Sequence, residues 1–481
     1  MNLLIINPII RPNEKPMCIP HGLAIIANIV RKKFPDVNIT FLDINGHRYT
    51  EQKVKQIIRT TDFDVVFIGG LIPVYRQVIE LSEYIKEVNP NAIIVVGGSV
   101  AMSIPEELLR NSEVDIICMG EGEVTVVEIV RYLKNNKEKI KGTPNIKGIA
   151  YLYGGVFVKT EPEPFIQDLD TESIIPAYDL IPMDIYTNVN VLGMGKEIDF
   201  VTARGCPFHC SFCYQPWGHK QRLHSIAFMK RAIRHLVYHY DIDFIAFMDD
   251  EFMANTKRLN NFLDIRNKYF PDLYWSGTGR TNITVKHEDL IKKCRNSGCV
   301  DISYGFESGS PRMLKSMHKA QTIEMMEKTI EITRKYGLPT ATSFIIGMPG
   351  ETKVSCQETL DFALRNNISL ASLMFATPYP GTEIFNYAMK TGRIKDVHKF
   401  ALSLRDARDF VVNLTDEFTD QELIDKRQEM IDTSNENYYN FISRDQIRQK
   451  IKDLFGPLMD KTKFDDKDLE NRMKYGGIGM F

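Results

Sequence analysis

Three cysteines, Cys206, Cys210 and Cys213, lie close together in the stretch ARGCPFHCSFCYQPW. They follow a predicted strand, so a single loop would present all three thiolates. Structural zinc prefers four ligands, often in two separated pairs, and the sequence has no second Cys-x2-Cys pair. Cys294 or Cys299 could supply a fourth zinc ligand, but they lie on a predicted helix and at its end, where buried cysteine is common. A redox pair of Cys210 and Cys213 leaves Cys206 without a role. A four-iron cluster fits better, with one iron open to a substrate or cofactor.

Glycine-containing turns follow several predicted strands near the N-terminus. They are Asp43-Ile44-Asn45-Gly46, Gly69-Gly70, Gly97-Gly98-Ser99 and Gly120-Glu121-Gly122. Ligands of a doubly wound sheet bind outside the carboxyl ends of its strands, where glycine lets the backbone approach closely. Such turns also contain glycine for purely structural reasons, but three of them in one sheet favour a ligand. No Gly-x-Gly-x-x-Gly follows the first strand, so we expect a large ligand other than a dinucleotide.

The segments that would position these residues alternate between strand-like and helix-like patterns. Residues 1–160 contain short Ile- and Val-rich runs between amphipathic segments, which predicts a doubly wound, Rossmann-like α/β domain. Residues 161–197 are rich in proline and acids and are interpreted as a linker. Residues 198–385 contain six predicted strands, all but the last followed by a helix, which predicts a partial (β/α)6 barrel with its site at the strands' C-terminal ends. Residues 386–481 are predicted to be mostly helical.

Composition and charge limit the function classes. The chain has 481 residues, 43% hydrophobic and 25% charged, which is typical of a folded protein of two or three domains. Its formal net charge of -2 argues against a dominant basic field, so no nucleic-acid partner is expected. The start, MNLLIINPIIRP, lacks the features of a signal peptide, and no apolar run approaches the ~18 residues of a membrane span. We therefore expect a cytoplasmic protein whose eight cysteines are reduced.

The cysteine loop resembles that of the radical S-adenosylmethionine (SAM) enzymes, including an aromatic residue, Phe212, before the third cysteine. Four further blocks at successive predicted strand ends, FMDDEF, YGFESGS, FIIGMPGET and PYPGTE, resemble those of the subfamily with an N-terminal cobalamin-binding domain. The blocks CIPHGLAIIANIV, VVGGSVAMSIPEELL and CMGEGEVTVVEIV are similar to that domain itself. The resemblance covers about residues 1–385 and implies that the first predicted domain binds cobalamin.

The resemblance implies a set of residues for each of three cofactors. Cys206, Cys210 and Cys213 would ligate a [4Fe-4S] cluster, whose open iron would be chelated by the amino and carboxylate groups of SAM. The residues implied in SAM binding are Phe212, near the adenine, and Asp249, Arg280, Glu307, Ser308 and Gly347. The residues implied in cobalamin binding are Asn45, Gly70, Leu71, Tyr75, Gly97, Gly98, Ser99, Glu121 and Gly122.

The lower face of cobalt is implied to lack a histidine ligand. Cobalamin domains of the methionine synthase type supply one from Asp-x-His-x-x-Gly, and the corresponding place here reads Asp43-Ile44-Asn45-Gly46-His47-Arg48. His47 is out of register, which implies base-off cobalamin without a histidine ligand. A weak lower ligand would help cobalt to reach the nucleophilic Co(I) state. Tyr75 is a candidate for a contact near that face, although such a tyrosine is more often part of a core.

The function implied by the resemblance is that of a cobalamin-dependent radical SAM C-methyltransferase. It would transfer a methyl group from SAM through methylcobalamin to an unactivated carbon of a peptide, a protein side chain or a small molecule, with an external electron donor such as flavodoxin or ferredoxin. The alternative is a non-methylating enzyme of the same architecture, an anaerobic cyclase or a ring-contracting oxidase. A cobalamin carrier with an inactive barrel would not need three clustered cysteines. An RNA methylthiotransferase needs a second trio, which Cys18 and Cys118 do not supply.

The C-terminal region is expected to shape the substrate pocket. Its last six residues, 476–481, contain three glycines that disfavour a helix and three apolar side chains that water would not favour. They are interpreted either as a frayed end that docks on a nearby groove or as a lid over the barrel mouth.

Overall fold

The computed structural model describes residues 1–12, 14–16, 18–136, 144–170, 175–188 and 195–456. The hypothetical lid at 476–481 lies outside these described residues. The chain divides into two compact units: the first contains Met1–Tyr186 and Ile394–Asp406, and the second contains Thr187–Arg393 and the described residues from Ala407 onward. The domain boundaries expected at 160, 197 and 385 stay predictions.

The described secondary structure alternates strands and helices as the sequence patterns predict. The strands are β1 (Asn2–Asn7), β2 (Asn38–Asp43), β3 (Val65–Gly69), β4 (Ile93–Gly97), β5 (Ile116–Cys118), β6 (Ile149–Tyr153), β7 (Val156–Lys159), β8 (Glu197–Phe200), β9 (Ala203–Arg204), β10 (Arg222–Leu223), β11 (Phe244–Phe247), β12 (Tyr274–Gly279), β13 (Cys299–Glu307), β14 (Thr340–Ile346) and β15 (Leu373–Phe375).

The helices follow in the same chain order. They are α1 (His21–Lys33), α2 (Ile44–His47), α3 (Glu51–Thr60), α4 (Tyr75–Val88), α5 (Ser99–Met102), α6 (Pro105–Arg110), α7 (Gly122–Asn136), α8 (Met183–Thr187), α9 (Ile226–Tyr240), α10 (Thr256–Tyr269), α11 (Thr281–Lys286), α12 (Glu288–Asn296), α13 (Pro311–Ser316), α14 (Ile323–Lys335), α15 (Lys353–Arg365), α16 (Glu383–Lys390), α17 (Val397–Ser403), α18 (Asp420–Phe441) and α19 (Arg444–Phe455). Short 3-10 turns span Ile72–Val74 and Tyr178–Leu180.

The first unit is built on a seven-stranded sheet of order β2-β1-β3-β4-β5-β6-β7. Its first five strands are parallel, which confirms the predicted doubly wound α/β fold. The apolar runs that predicted these strands form the core: Leu3, Ile5, Ala27, Val30 and Ile129 are buried together between the sheet and the helices α1 and α7.

An antiparallel extension of this sheet was not predicted. β6 pairs antiparallel with β5, and β7 pairs antiparallel with β6. Gly154 and Gly155 connect β6 to β7, with φ angles of 57° and 79°. Two consecutive residues with positive φ are what a tight hairpin turn requires, so the Gly-Gly pair was the signal in the sequence.

The second unit contains a six-stranded parallel sheet of order β15-β14-β13-β12-β11-β8. All six strands were predicted, and helices follow them along the chain, so the predicted partial (β/α)6 barrel is confirmed. Side-chain caps fix where several helices begin: the Ser225 hydroxyl accepts the Phe228 N–H at the start of α9, and Thr419 and Glu422 form a capping box on α18. The predicted helical character of the C-terminal region holds for α16, α18 and α19 of this unit.

An aromatic cluster supports the strand ends of the barrel. Phe247 on β11 stacks on Phe252 with ring centroids 4.2 Å apart, and both contact Phe262 and Trp275. Trp275 is fully buried, and truncating such a side chain costs about 3–5 kcal/mol. Because Phe252 follows Glu251 directly, this cluster fixes the acidic turn after β11.

Candidate functional site

The three cysteines lie on a loop that is closed at its base. β9 and β10 pair antiparallel, with Arg204 opposite Arg222. Gly205 follows with a φ of 85°, and a Cβ on it would lie 2.6 Å from the carbonyl oxygen of Lys220. The Cys206 N–H donates to the Gly218 carbonyl at 3.3 Å. The loop therefore returns to its start, and only glycine fits at its entry.

Backbone hydrogen bonds hold the segment between the second and third cysteines. The Cys213 N–H donates to the Cys210 carbonyl at 3.1 Å. Ser211 donates its N–H to the carbonyl of Met317, at 3.1 Å, and accepts the N–H of Ile384, at 3.3 Å. These two hydrogen bonds connect the loop to Met317, directly after α13, and to Ile384 in the first turn of α16.

The thiols influence one another electrostatically. Burial raises the pKa of Cys206. The pKa of Cys213 is raised to about 11. Desolvation of the thiol is the largest cause, and the neighbouring Cys210, Asp250 and Cys206 raise it further. Among the described residues, no group of three His, Cys, Asp or Glu side chains has an arrangement ready to hold a metal ion. Three thiols on one tethered loop suit a cluster by their donor chemistry, and the ligation itself stays a prediction.

Arg280 and Glu307, two predicted SAM contacts, are brought together by a third residue. The Arg280 guanidinium lies 3.4 Å from the ring centroid of Phe208 in the cysteine loop, and its Nη2 donates to the Lys319 carbonyl at 2.6 Å. The Lys319 ammonium donates to Glu307 Oε1 at 2.7 Å. All three charged residues are buried. Sequence reasoning missed Lys319, because nothing in its local stretch, MHKAQT, distinguishes it.

A buried carboxyl oxygen without a partner marks an open acceptor at this site. Glu251 is only 5% exposed, and its Oε1 has no hydrogen-bond partner. Burial raises its pKa to about 7, while the charges of Arg280 and Lys319 oppose that rise. Buried polar groups in proteins are normally hydrogen-bonded, so an unpaired one indicates a place for a ligand donor. Ser211 Oγ, Gln215 Oε1 and Ser310 Oγ, on the cysteine loop and after β13, are likewise buried without partners.

These atoms fit the polar groups of SAM, which offers an ammonium and hydroxyls as donors and a carboxylate as acceptor. Of the acidic block after β11, Asp249 was predicted to bind SAM, yet the open oxygen belongs to Glu251. The Asp249 carboxylate accepts hydrogen bonds from the Thr202 N–H and hydroxyl and from the Ala203 N–H. It therefore secures the strand end that precedes the cysteine loop.

Three other predicted SAM contacts occupy different environments. The Ser308 hydroxyl lies 3.1 Å from that of Thr359. The Gly347 N–H donates to Glu351 at 2.6 Å. Phe212 is half-buried on the cysteine loop. The polar groups of Ser308 and Gly347 thus have protein partners, and SAM contacts for all three stay predictions.

The predicted cobalamin residues lie at the carboxyl edge of the first unit's sheet. Gly98 has a φ of 80°, and a Cβ on it would lie 2.6 Å from the carbonyl oxygen of Gly70. The Ser99 hydroxyl accepts the N–H of Ile72 at 3.0 Å. The turns after β3 and β4 therefore contact each other through backbone. Leu71, which is 54% exposed, presents an apolar side chain there, as a flat macrocycle would favour.

The remaining glycines of this edge differ in their surroundings. A Cβ on Gly97 would lie 3.8 Å from Cys118, and one on Gly122 would lie 3.1 Å from Ile26. Glu121 is buried and accepts the N–H of Ile166 at 2.7 Å. Its carboxylate therefore anchors the segment after β7.

Asn45 connects two loops of this edge. Its Oδ1 accepts the N–H of Ile10 at 2.9 Å, and its Nδ2 donates to the Tyr186 hydroxyl at 3.2 Å. That hydroxyl also donates to the buried Asp43, whose pKa is raised by burial. His47 is exposed and stacks on Tyr49, with ring centroids 4.7 Å apart. Asn45 therefore holds the loop after β1, a role that sequence reasoning missed.

Tyr75 is fully buried at the start of α4 and is paired with a residue from the far end of the chain. Its hydroxyl lies 3.0 Å from Nδ1 of His398 on α17. Burial is the largest cause that raises the pKa of this phenol. The segment Ile394–Asp406 belongs to the first unit, and Arg11 forms an ion pair of 2.5 Å with Asp406 within it. His398 had no signal in the sequence.

Comparison with known proteins identifies both units. The chain matches the radical SAM superfamily over residues 200–363 and the B12 binding domain over residues 14–130. It is 34% identical over 375 residues to an uncharacterized methyltransferase of Pyrococcus horikoshii, covering 77% of this chain and 78% of that protein. The chain belongs to the cobalamin-binding radical SAM enzymes. The predicted resemblance is therefore confirmed.

Two other proteins match over a similar share of this chain. The anaerobic magnesium-protoporphyrin IX monomethyl ester cyclase of Rubrivivax gelatinosus is 27% identical over 76% of this chain, which spans 65% of that relative's length. The radical SAM methyltransferase TsrM from Kitasatospora setae has the same fold, with a TM-score of 0.66 and 16% identity over 82% of this chain and 77% of that one. Within the described residues, this enzyme has no helix with the length and apolar character of a bilayer crossing.

Proposed function

We propose that this cobalamin-binding radical SAM enzyme is a C-methyltransferase. The observation that carries the proposal is its 34% identity to the methyltransferase of Pyrococcus horikoshii over more than three quarters of both chains. The non-methylating alternative, a cyclase, is supported by the relative from Rubrivivax gelatinosus at 27% identity. We propose an unactivated carbon of a peptide, a protein side chain or a small molecule as the methyl acceptor.

The cofactors would supply the difficult chemistry, namely a carbon-centred radical from SAM and a transferable methyl group from cobalamin. Cys206, Cys210 and Cys213 would hold the [4Fe-4S] cluster. Glu251, with its unpaired oxygen, is proposed to accept hydrogen bonds from the SAM ammonium. Arg280, fixed by Lys319 and Phe208, is proposed to face the SAM carboxylate.

The carboxyl edge of the first unit is proposed to bind base-off cobalamin. Leu71 would contact the corrin, and the turns after β3 and β4 would admit it closely. The exposure of His47 and its stacking on Tyr49 support binding without this histidine as a ligand.

The test is transfer of a labelled methyl group. Anaerobically purified and reconstituted enzyme is incubated with SAM carrying a trideuterated methyl group, a chemical reductant, and separate peptide, protein and small-molecule fractions of the source cells. Mass spectrometry of a methylated product should show all three deuterium atoms, because the methyl group passes intact from SAM to cobalt to carbon. Formation of 5'-deoxyadenosine together with an altered but unmethylated product would overturn the methyltransferase proposal and favour the cyclase alternative.

A further inference from the structure

The outer face of α9 is basic and carries no acidic residue. The helix reads IAFMKRAIRHLVYHY, and its apolar residues Phe228, Met229, Ile233 and Leu236 are buried against the barrel. Arg231 and Arg234 are exposed on the opposite side. Tyr238 is 65% exposed, and Tyr269 on the neighbouring α10 is 39% exposed. We call Lys230, Arg231, Arg234, Lys268, Tyr238 and Tyr269 the basic face.

The cations of the basic face contact aromatic rings instead of carboxylates. Lys230 Nζ lies 3.3 Å from the ring centroid of Tyr269, and the Arg234 guanidinium lies 5.9 Å from that of Tyr238. In the described part of the chain, none of the four cations forms an ion pair with a carboxylate, whereas other helices pair theirs within a turn, as Lys55 does with Glu51. The positive charge of this face is therefore left for a partner.

The basic face begins beside the cysteine loop. β10 closes that loop, and Ser225 caps α9 directly after it. At about 1.5 Å of rise per residue, Arg231 lies about 8 Å along the axis from the first residue of α9. The loop adds one exposed cation, Lys220. Positive charge thus extends from the loop onto the helix.

We propose that the basic face docks an acidic one-electron carrier protein. The proposal rests on the proposed function for its chemistry, because radical formation from SAM requires one electron from outside. The carrier would be oxidised by one electron and the cluster held by Cys206, Cys210 and Cys213 reduced by one, with no covalent bond formed between the proteins. Arginine and tyrosine are enriched in protein interfaces. Because the whole chain has a formal net charge of -2, the positive charge of the basic face is local and would orient an acidic partner toward it.

The first test measures binding without catalysis. The dissociation constant of a purified acidic flavodoxin for the reconstituted enzyme is measured anaerobically by calorimetry at several salt concentrations. Arg231→Glu/Arg234→Glu should weaken binding by about tenfold or more and flatten its salt dependence, because steering charges are reversed. Lys53→Glu/Arg59→Glu on α3 makes the same change in net charge at two exposed residues and should change binding less than about twofold.

The second test separates docking from the reaction. Stopped-flow oxidation of the reduced flavodoxin by the enzyme should slow in the α9 variant, while 5'-deoxyadenosine formation driven by dithionite stays at the parental rate. Arg231→Gln/Arg234→Gln replaces Arg231→Glu/Arg234→Glu if the latter does not fold.

Unchanged flavodoxin affinity in the folded α9 variants, or an equal loss of affinity in the α3 variant, would overturn the proposal. Loss of binding to a single-stranded RNA oligonucleotide with flavodoxin binding unchanged would assign the face to nucleic acid instead. Failure of methyl transfer with dithionite would count against the proposed function alone.

Discussion

The hydroxyl of Tyr75 lies 3.0 Å from Nδ1 of His398, although the two residues are 323 positions apart in the chain. Tyr75 was expected at the cobalamin edge as an isolated candidate. The structure pairs it with His398, so that the buried Tyr75 and the half-buried His398 join α4 to α17, and the contact of Tyr75 with cobalamin stays a prediction. The pair connects the turn after β3, with its exposed Leu71, to a segment that follows the barrel in sequence.

Tyr75→Phe should lower the free energy of unfolding of the first unit by about 1 kcal/mol, because it removes one half-buried hydrogen bond and leaves His398 Nδ1 unpaired. Thermal melting of the cobalamin-free enzyme measures this loss. Tyr84→Phe is the matched control, since Tyr84 is also on α4 and donates its hydroxyl to the Lys55 carbonyl of α3 at 3.1 Å. A loss confined to Tyr84→Phe would show that the His398 contact contributes nothing.

The Co(II) electron paramagnetic resonance spectrum should lack nitrogen superhyperfine splitting, because no histidine is proposed to ligate cobalt. Neither His47→Ala nor His398→Ala should change it. Splitting that disappears in one of these variants would contradict the base-off proposal and identify that residue as the ligand.

Gly98→Ala should reduce cobalamin binding at least about tenfold and destabilise the first unit, because a Cβ at this φ of 80° would lie 2.6 Å from the Gly70 carbonyl oxygen. Bound cobalamin is measured by its absorbance after gel filtration. Gly120→Ala is the control: it also has a positive φ, of 76°, but nothing lies within 4 Å of its Cβ position. Equal losses in both variants would attribute the effect to backbone strain and not to the contact between the turns.

Replacing Cys206, Cys210 and Cys213 by alanine should abolish the cluster absorbance and SAM cleavage while leaving cobalamin bound, because the cobalamin candidates lie in the other unit. Iron content per chain and the optical spectrum are the measurements. Cys18→Ala, at an exposed cysteine of the first unit, should retain both. A full four-iron cluster in the triple variant would refute the ligand assignment.

Glu251→Gln should weaken SAM binding by about tenfold or more, because a charged acceptor for the ammonium is lost. The pKa of Glu251 is raised from 4.5 to about 7, and ammonium binding favours the ionised form. The affinity of the parent enzyme should therefore rise with pH and level off above about 7, whereas that of the variant should not follow this rise. Isothermal titration with SAM across this range measures both. A pH profile shared by the parent and the variant would remove Glu251 from the site.

The same raised pKa has a stability consequence with a definite sign. Between pH 4.5 and about 7 the folded enzyme holds a proton on Glu251 that the unfolded chain has lost, so this group makes the SAM-free enzyme less stable as pH rises through that window. Glu251→Gln should remove this part of the decline in melting temperature. An unchanged decline would place the titration on other groups.

The sequence predicted local features well and contacts between distant residues poorly. The Cys-x3-Cys-x2-Cys loop and the six barrel strands follow from spacing and apolar runs that a short window contains. Lys319 contacts Arg280 across 39 residues, and no window of that kind includes both. Glu251 belongs to the FMDDEF block but is not among the predicted SAM contacts, because only burial and a missing partner distinguish it from Asp249.

The β6–β7 hairpin shows a different kind of omission. Its Gly154-Gly155 turn is present in the sequence, but no strand was predicted over residues 149–159. The pairing partner of a strand depends on which sheet edge is free, and β5 ends the parallel part of this sheet. Local patterns carry no information about that edge.

The return of Ile394–Asp406 to the first unit has a consequence for synthesis of the protein. A ribosome delivers residues in order, so the fold around α4 and α6 cannot be completed until α17 has emerged, after all six barrel strands. A nascent chain that ends at Tyr186 would leave the Tyr75 phenol without His398 and Arg11 without Asp406. The cobalamin-binding unit therefore matures after the barrel has been translated, and a gene fragment that encodes only its N-terminal stretch would yield an unfinished domain.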